Sequence, residues 1–265
     1  MNAQLLTVER RAAIAVVTLN RPDLHNAFDE HLIAALTDAI ANLGQDSDVR
    51  ALVLTGAGPS FSAGADMNWM RRMAAASEAA NRDDAEGLAA LMRTLAFCPK
   101  PTIARVNGSA FGGGVGLISC CDVAISVDAA KFALTETKLG LVPAVISPYV
   151  IDAIGFRQCR RYFQTAEIFD AERARQIGLV HDVVAAEALD AAVDRVISAL
   201  LKAGPIAVGE AKALAFRVAG RDLAQQQQID QDNARLIARL RVSAEGQEGL
   251  SAFLDKRSPA FATKV

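Results

Sequence analysis

The chain has 265 residues and a mass of 28.0 kDa, room for one large domain or two small ones at roughly 100–200 residues each. Hydrophobic residues make up 52% and charged residues 22%, which excludes a disordered tail and allows a sizeable core. With 28 basic and 30 acidic side chains the net charge is −2, which argues against nucleic acid as the main partner, because phosphate binding leaves a basic footprint.

In chain order, residues 13–19 (AIAVVTL) form an apolar run closed by Asn20-Arg21-Pro22, which predicts a strand and a turn. Asp29 can cap a helix to about residue 43, with Leu32, Leu36, Ile40 and Leu43 on one face. Residues 50–55 predict a second strand, closed by Gly56-Ala57-Gly58-Pro59, and residues 79–97 a helix. Residues 102–106 predict a third strand ending at Asn107-Gly108, and a short helix starts within Gly112-Gly113-Gly114. Residues 122–127 and 131–134 are further strand candidates. Segments 145–163, 170–177, 187–202, 205–219 and 223–241 carry helix-like spacing. Ile177-Gly178-Leu179-Val180-His181 looks like a helix stop running into a strand. The sum is an α/β core followed by a helical C-terminal region.

Cys98, Cys120, Cys121 and Cys159 fit no CxxC pair, and a chain this long needs no disulfide staples. They are expected as reduced, buried thiols of a cytoplasmic protein. His25, His31 and His181 form no HExxH and no dense cluster with Cys or carboxylates, so no metal site is expected. The start MNAQLLTVERR has no apolar stretch after a basic one, and no apolar run reaches about 18 residues. Neither a secretory signal nor a membrane span is expected.

Two glycine-rich turns follow predicted strands: Phe61-Ser62-Ala63-Gly64-Ala65-Asp66 and Phe111-Gly112-Gly113-Gly114-Val115-Gly116. Small residues there let a ligand approach the backbone, and the second turn opens a helix whose first N–H groups favour negative charge. Two amides aimed at one point would form an oxyanion hole for an enolate or a tetrahedral intermediate. Tight turn packing would use the same letters. The second turn is no P-loop, since no Gly-Lys-Ser/Thr follows, and no dinucleotide fingerprint, since position 117 is Leu. No GxSxG elbow is present, and Ser62 and Ser109 have no evident histidine base. Glu136 follows the apolar run Phe132-Ala133-Leu134. A carboxylate there, near an oxyanion hole, could move a proton at the carbon alpha to a carbonyl, and desolvation would raise its pKa. A surface Glu, or a partner of Lys138, would read the same.

Taken together, these segments resemble the crotonase (enoyl-CoA hydratase/isomerase) superfamily over essentially the whole chain. The matching stretches are Leu19-Asn20-Arg21-Pro22 with Asn26-Ala27, Phe61 to Asp66, Lys100-Pro101 to Gly108, Phe111 to Gly114, Cys121-Asp122, Phe132 to Glu136, Leu139 to Pro143, Ile177 to Val180, and Phe253 to Arg257. The resemblance implies a spiral of ββα units over residues 1–200 and a helical trimerisation region over 201–265. It implies trimers or dimers of trimers, and an acyl-CoA thioester whose oxygen lies between the amides of Ala65 and Gly113. Leu24, His25 and Asn26, with Ala63, Gly64, Asp66 and Met67, would line the CoA; Asp66 would contribute to an adenine pocket through its backbone. Gly112, Gly116 and Tyr149 are expected in the substrate site, and Lys256, Arg257 and Phe261 would reach a neighbouring subunit's CoA. No cofactor is implied beyond the CoA that arrives with the substrate, and neither nucleic acid nor membrane is an expected partner.

One departure matters. Family hydratases usually carry two glutamates; one matches Glu136, and the other position is Gly116 here. A single carboxylate suffices for moving a proton between C2 and C4, as in family isomerases. Three longer stretches, Phe61–Met70, Gly112–Asp122 and Lys138–Val150, are similar to bacterial methylglutaconyl-CoA and isohexenylglutaconyl-CoA hydratases of leucine and acyclic terpene breakdown. That subgroup also carries Gly at this position, which restores hydration. The expected function is hydration of a branched 2-enoyl-CoA with a distal carboxylate, Glu136 serving as acid and base. The alternatives are an enoyl-CoA isomerase using Glu136 alone and an inactive crotonase-fold binding protein. Trp69, Met67, Met70 and Met73 fit packing or an acyl-pocket wall; Arg71 and Arg72 fit a solvated helix face or an anion contact; Asp122 is expected to be structural.

Overall fold

The computed structural model describes residues 5–263. It opens on an antiparallel hairpin of β1 (Leu6–Arg11) and β2 (Ile14–Leu19), with Leu6 opposite Leu19. Only Leu6 of β1 is buried, and Glu9, Arg10 and Arg11 are exposed, which suits the edge of a sheet. A 3-10 turn, Pro22–Leu24, leads to α1 (Glu30–Gln45). Asp29 caps it by accepting the Leu32 N–H at 2.8 Å, and Leu32, Leu36, Ile40 and Leu43 are buried as their spacing predicts.

Three ββα units follow. β3 (Ala51–Gly56) and β4 (Ser60–Ser62) precede α2 (Met67–Ala74) and α3 (Glu78–Ala96). β5 (Thr102–Val106) and β6 (Ser109–Phe111) precede α4 (Gly113–Cys120). β7 (Val123–Val127) and β8 (Lys131–Ala133) precede a 3-10 turn, Glu136–Leu139, then α5 (Ser147–Ile154) and α6 (Phe156–Thr165). The chain continues through β9 (Phe169–Asp170), α7 (Ala171–Ile177), β10 (Asp182–Val184), α8 (Leu189–Lys202), α9 (Pro205–Val218), α10 (Leu223–Val242) and α11 (Ala244–Leu254).

Each unit gives one strand to each of two sheets. The larger sheet runs β1-β2-β3-β5-β7-β10 and the smaller β4-β6-β8-β9. From β2 to β10 the larger sheet is parallel, and every residue of β3 is buried, as a parallel strand covered on both faces requires. In the smaller sheet β4, β6 and β8 are parallel and β9 is antiparallel. This is the expected α/β spiral of ββα units. α10 lies along α3, and the ion pairs Arg93–Asp230 and Arg241–Asp84 tie the two.

The structure differs from the sequence reading in specific places. The helix expected over 145–163 is two, broken at Gly155, whose φ of 78° no helix accepts. The sequence pattern does not show β1, because LTVERR buries one side chain and its ordering comes from pairing with β2. α2 and α11 were not separated from their surroundings, and β4, β6 and β9 are too short for a periodicity to show. All four cysteines are free; Cys98, Cys120 and Cys159 are buried, but Cys121 only partly.

Candidate active site

β4, β6 and β8 lie side by side and run in the same direction, with Ser62 beside Ala110 and Phe111 beside Ala133. The segments that leave their C-terminal ends therefore emerge together. Those segments are Ala63–Asp66, Gly112–Gly113 and Thr135–Glu136, which is how residues far apart in sequence come to one place.

The first turn is held by its backbone. Ser62, fully buried, donates its hydroxyl to the Asn26 carbonyl at 2.9 Å and accepts the Gly64 N–H at 3.3 Å. Gly64 has φ +85°, and a Cβ on it would fall 2.9 Å from the Phe111 carbonyl oxygen, so only glycine fits. Phe28 bridges this turn: its N–H donates to Gly64 O at 2.6 Å and its carbonyl accepts from Asp66 N–H at 2.7 Å. In a parallel bridge those bonds use the groups on either side of Ala65, so the Ala65 N–H points away from Phe28.

The second turn presents the start of a helix. Gly112, at φ +49°, donates its N–H to Ala133 O at 2.9 Å and swings the chain into α4. Gly113 is the first residue of α4, so its N–H has no carbonyl one turn earlier to meet. Neither the Ala65 nor the Gly113 amide meets an acceptor among the described residues. A Cβ at Gly113 would lie 2.7 Å from the Phe28 ring, which packs the two turns against each other.

Glu136 completes the group. A Cβ on Gly112 would sit 3.1 Å from Glu136 Oε1, so the carboxyl lies directly over the glycine turn. Its Oε2 is buried and has no hydrogen-bond partner among the described residues. Burial pushes its pKa from 4.5 up to about 7, only partly opposed by a backbone hydrogen bond.

One cavity of about 320 Å³ unites these parts. Ala63, Gly64, Ala65, Gly112, Gly113 and Glu136 line it. So do Phe28, Trp69, Met70 and Met73, with the 141–146 segment, Ile237 and Arg241 of α10, and Leu250 and Phe253 of α11. The wall is mostly aliphatic and aromatic, suited to an acyl chain.

Other expected site residues sit outside this cavity. Leu24 and Met67 are exposed beside it in sequence. His25 is exposed and its Nδ1 lies 3.0 Å from Ser60 Oγ. Asn26 is fully buried, its amide donating to Ala57 O and Ser60 O and its Oδ1 accepting from Arg21 N–H, so its side chain serves the loop. Asp66 caps α2 through Oδ1 and pairs with Arg21 through Oδ2 at 3.0 Å. Gly116 is packed shut: a Cβ there would fall 2.3 Å from Ile146 Cγ2. The space a second carboxylate would need is filled by Ile146. Tyr149 is buried on α5, its hydroxyl without a partner among the described residues.

Arg72 pairs with Glu30, and Arg71 donates to Asn68 on its own helix. Asp122 accepts from Thr102 N–H and Oγ1 and pairs with Lys212, a structural tie. Sequence reasoning missed Arg241 and the 141–146 wall. Arg241 has no mark in its letters, and the 141–146 stretch is marked only by resemblance, within Leu139–Pro143 and Lys138–Val150; both reach the cavity through the packing of α10 and the turn after Leu139.

Residues 9–264 match the family model described as Enoyl-CoA hydratase/isomerase. The chain is 43% identical to a structurally characterised enoyl-CoA hydratase from Shewanella pealeana, covering 98% of this chain and 97% of that one, with a TM-score of 0.80. It is 33% identical to a crotonyl-CoA hydratase of Syntrophomonas wolfei, covering 98% of each. It is 34% identical to an (E)-benzylidenesuccinyl-CoA hydratase of Thauera aromatica, covering 97% of this chain and 98% of that one.

Proposed function

The chain belongs to the enoyl-CoA hydratase/isomerase family, and from that premise we propose that it hydrates a branched 2-enoyl-CoA thioester carrying a distal carboxylate, of the 3-methylglutaconyl type. The observation that carries the chemistry is the convergence of two amides, without acceptors among the described residues, and one buried carboxyl on a single mostly apolar cavity; the acyl group follows from the resemblance of Phe61–Met70, Gly112–Asp122 and Lys138–Val150.

The thioester oxygen would sit between the N–H groups of Ala65 and Gly113. Ionised Glu136 takes a proton from water while the oxygen of that water adds to C3. The electron pair of the C2–C3 bond moves onto the thioester as an enolate, which the two amides stabilise. Protonated Glu136 then returns the proton to C2. Loss of one such amide donor typically costs roughly 2.7–4 kcal/mol of transition-state stabilisation. With a pKa near 7 the carboxyl can hold or release a proton with little bias at neutral pH. CoA arrives with the substrate, so the scheme calls on no resident cofactor or metal. Relatives at similar identity are named for acyl groups with and without a second carboxyl, so family membership leaves the acyl group open.

A second reading has one observation in its favour. Ile146 fills the space beside Gly116, leaving Glu136 as the sole carboxylate that lines the cavity among the described residues. A lone carboxylate can shuttle a proton between C4 and C2, the chemistry of an enoyl-CoA isomerase.

Turnover on 3-methylglutaconyl-CoA, crotonyl-CoA and a 3-enoyl-CoA, with products weighed by mass spectrometry, separates the two. Gain of one water on the methylglutaconyl thioester, faster than on crotonyl, supports the hydratase. Conversion of the 3-enoyl thioester at constant mass, with no hydration of the others, supports the isomerase. The proposed assembly is a trimer or a dimer of trimers. Ile206 and Val218 of α9, at 81% and 78% exposure, are apolar surface such an assembly would cover. Light scattering that reads a single chain mass would refute it. Among the described residues no helix is long and apolar enough to cross a membrane.

A further inference from the structure

Arg241 is a cation on the wall of a mostly apolar cavity, on a different element from Glu136. Its side chain is 15% exposed. A guanidinium placed there needs partners, and those it has are few. Its Nη1 donates to Asp84 Oδ2 at 2.8 Å and to Asn81 Oδ1 at 3.2 Å. Asp84 is itself 9% exposed, and its other oxygen accepts the Trp69 Nε1–H at 2.7 Å. The guanidinium carbon lies 5.8 Å from the centroid of the Trp69 ring. Asn81 is pinned in turn, its amide donating to the carbonyls of Met73, Ala76 and Ser77. The α2, α3 and α10 elements thus hold the guanidinium rigidly, and they do so through Nη1 alone.

Its Nε and Nη2 make no hydrogen bond to the described residues. A guanidinium carries five donors in a planar fork, and two parallel N–H groups are the match for one carboxylate. A purely structural clamp would need no contact with the cavity. A cation with spare donors on the wall of an acyl cavity fits an anion on the acyl chain.

We propose that Arg241 receives the carboxylate at the far end of the acyl chain, so that the site selects thioesters of dicarboxylic acids over those of monocarboxylic acids. The inference rests on the reading of the cavity as the site of an acyl-CoA with a distal carboxylate, and names the residue that receives that carboxylate. Arg241 is a specificity residue in this account; the proton transfers stay with Glu136.

Calorimetric titration with glutaryl-CoA and pentanoyl-CoA tests it without any turnover. These saturated thioesters share a five-carbon acyl chain and differ at its far end. The full-length wild type is expected to bind glutaryl-CoA about 10- to 100-fold more tightly, the scale of a charge-assisted pair. Arg241→Met is expected to erase that preference while pentanoyl-CoA affinity stays within about threefold, and Arg241→Lys to retain part of it, keeping charge but losing the fork. Equal wild-type affinities overturn the proposal, and that comparison needs no variant to fold. So does an Arg241→Met protein that weakens both ligands equally, the signature of a clamp. If the preference holds but no 2-enoyl-CoA gains water, the hydratase reading fails and the role of Arg241 stands. If neither thioester binds, both fall.

Discussion

Glu136 owes its proton affinity to burial with no counter-charge. Among the described residues no cation contributes to its shift; desolvation dominates, and one backbone hydrogen bond works against it. The sign of the linkage follows. An unfolded chain ionises this carboxyl near 4.5, whereas the fold holds the proton to about 7. Its contribution to stability is full below pH 4.5, is lost as pH rises to about 7, and is constant beyond. At 1.36 kcal/mol per pH unit the ionised fold is penalised by about 3 kcal/mol at pH 8. Glu136→Gln carries no charge to bury, so thermal melts should show it matching the wild type at pH 4 and exceeding it at pH 8. A gap that is the same at both pH values would contradict the buried, unpaired state. Glu136 was legible in the sequence because it follows an apolar strand. Arg241 was not, because its meaning depends on Asp84, Asn81 and Trp69, which come from other helices.

Elements rather than single residues decide how many carboxylates the site holds. α4 starts beneath the oxyanion turn, and its fourth residue, Gly116, faces the segment that ends at Ile146. Read as a sequence, Gly116 is a missing glutamate; in the fold it is a packing partner. Gly116→Glu should therefore destabilise the protein, by about 1–3 kcal/mol for an overpacked core site, without adding activity. Gly116→Glu with Ile146→Ala should recover part of that loss, because the bulk that blocks the new side chain is gone. Denaturant melts of the two variants read this directly, and equal stability for both would rule out the steric account. Helices were read well from the sequence where a cap and a wide apolar stripe coincide, as at Asp29 with Leu32, Leu36 and Ile40. The β4 and β6 strands are hard to read because three residues hold no period, whereas β8 shows in the 131–134 run; the parallel pairing of all three is what builds the site.

At the scale of the whole molecule, the ββα spiral brings three strand ends together and the C-terminal helices close over them. α10 supplies Ile237 and Arg241 to the cavity, and α11 supplies Leu250 and Phe253. The region expected to serve assembly thus also forms part of the acyl wall. Order along the chain was legible, because family motifs mark the successive turns. The return of the C-terminal helices to the site was not, since it rests on ties such as Arg93–Asp230 and Arg241–Asp84 that link distant segments.

The chemistry turns on Glu136 acting beside the amides of Ala65 and Gly113. The measurement that tests it most directly is the rate of water addition to 3-methylglutaconyl-CoA by the wild type and by Glu136→Gln, with binding of a saturated acyl-CoA measured on both. The expected result is a fall of at least about 100-fold in turnover, the usual scale for losing a general acid–base, with affinity nearly unchanged. A Glu136→Gln protein that hydrates the thioester at close to the wild-type rate would contradict the account.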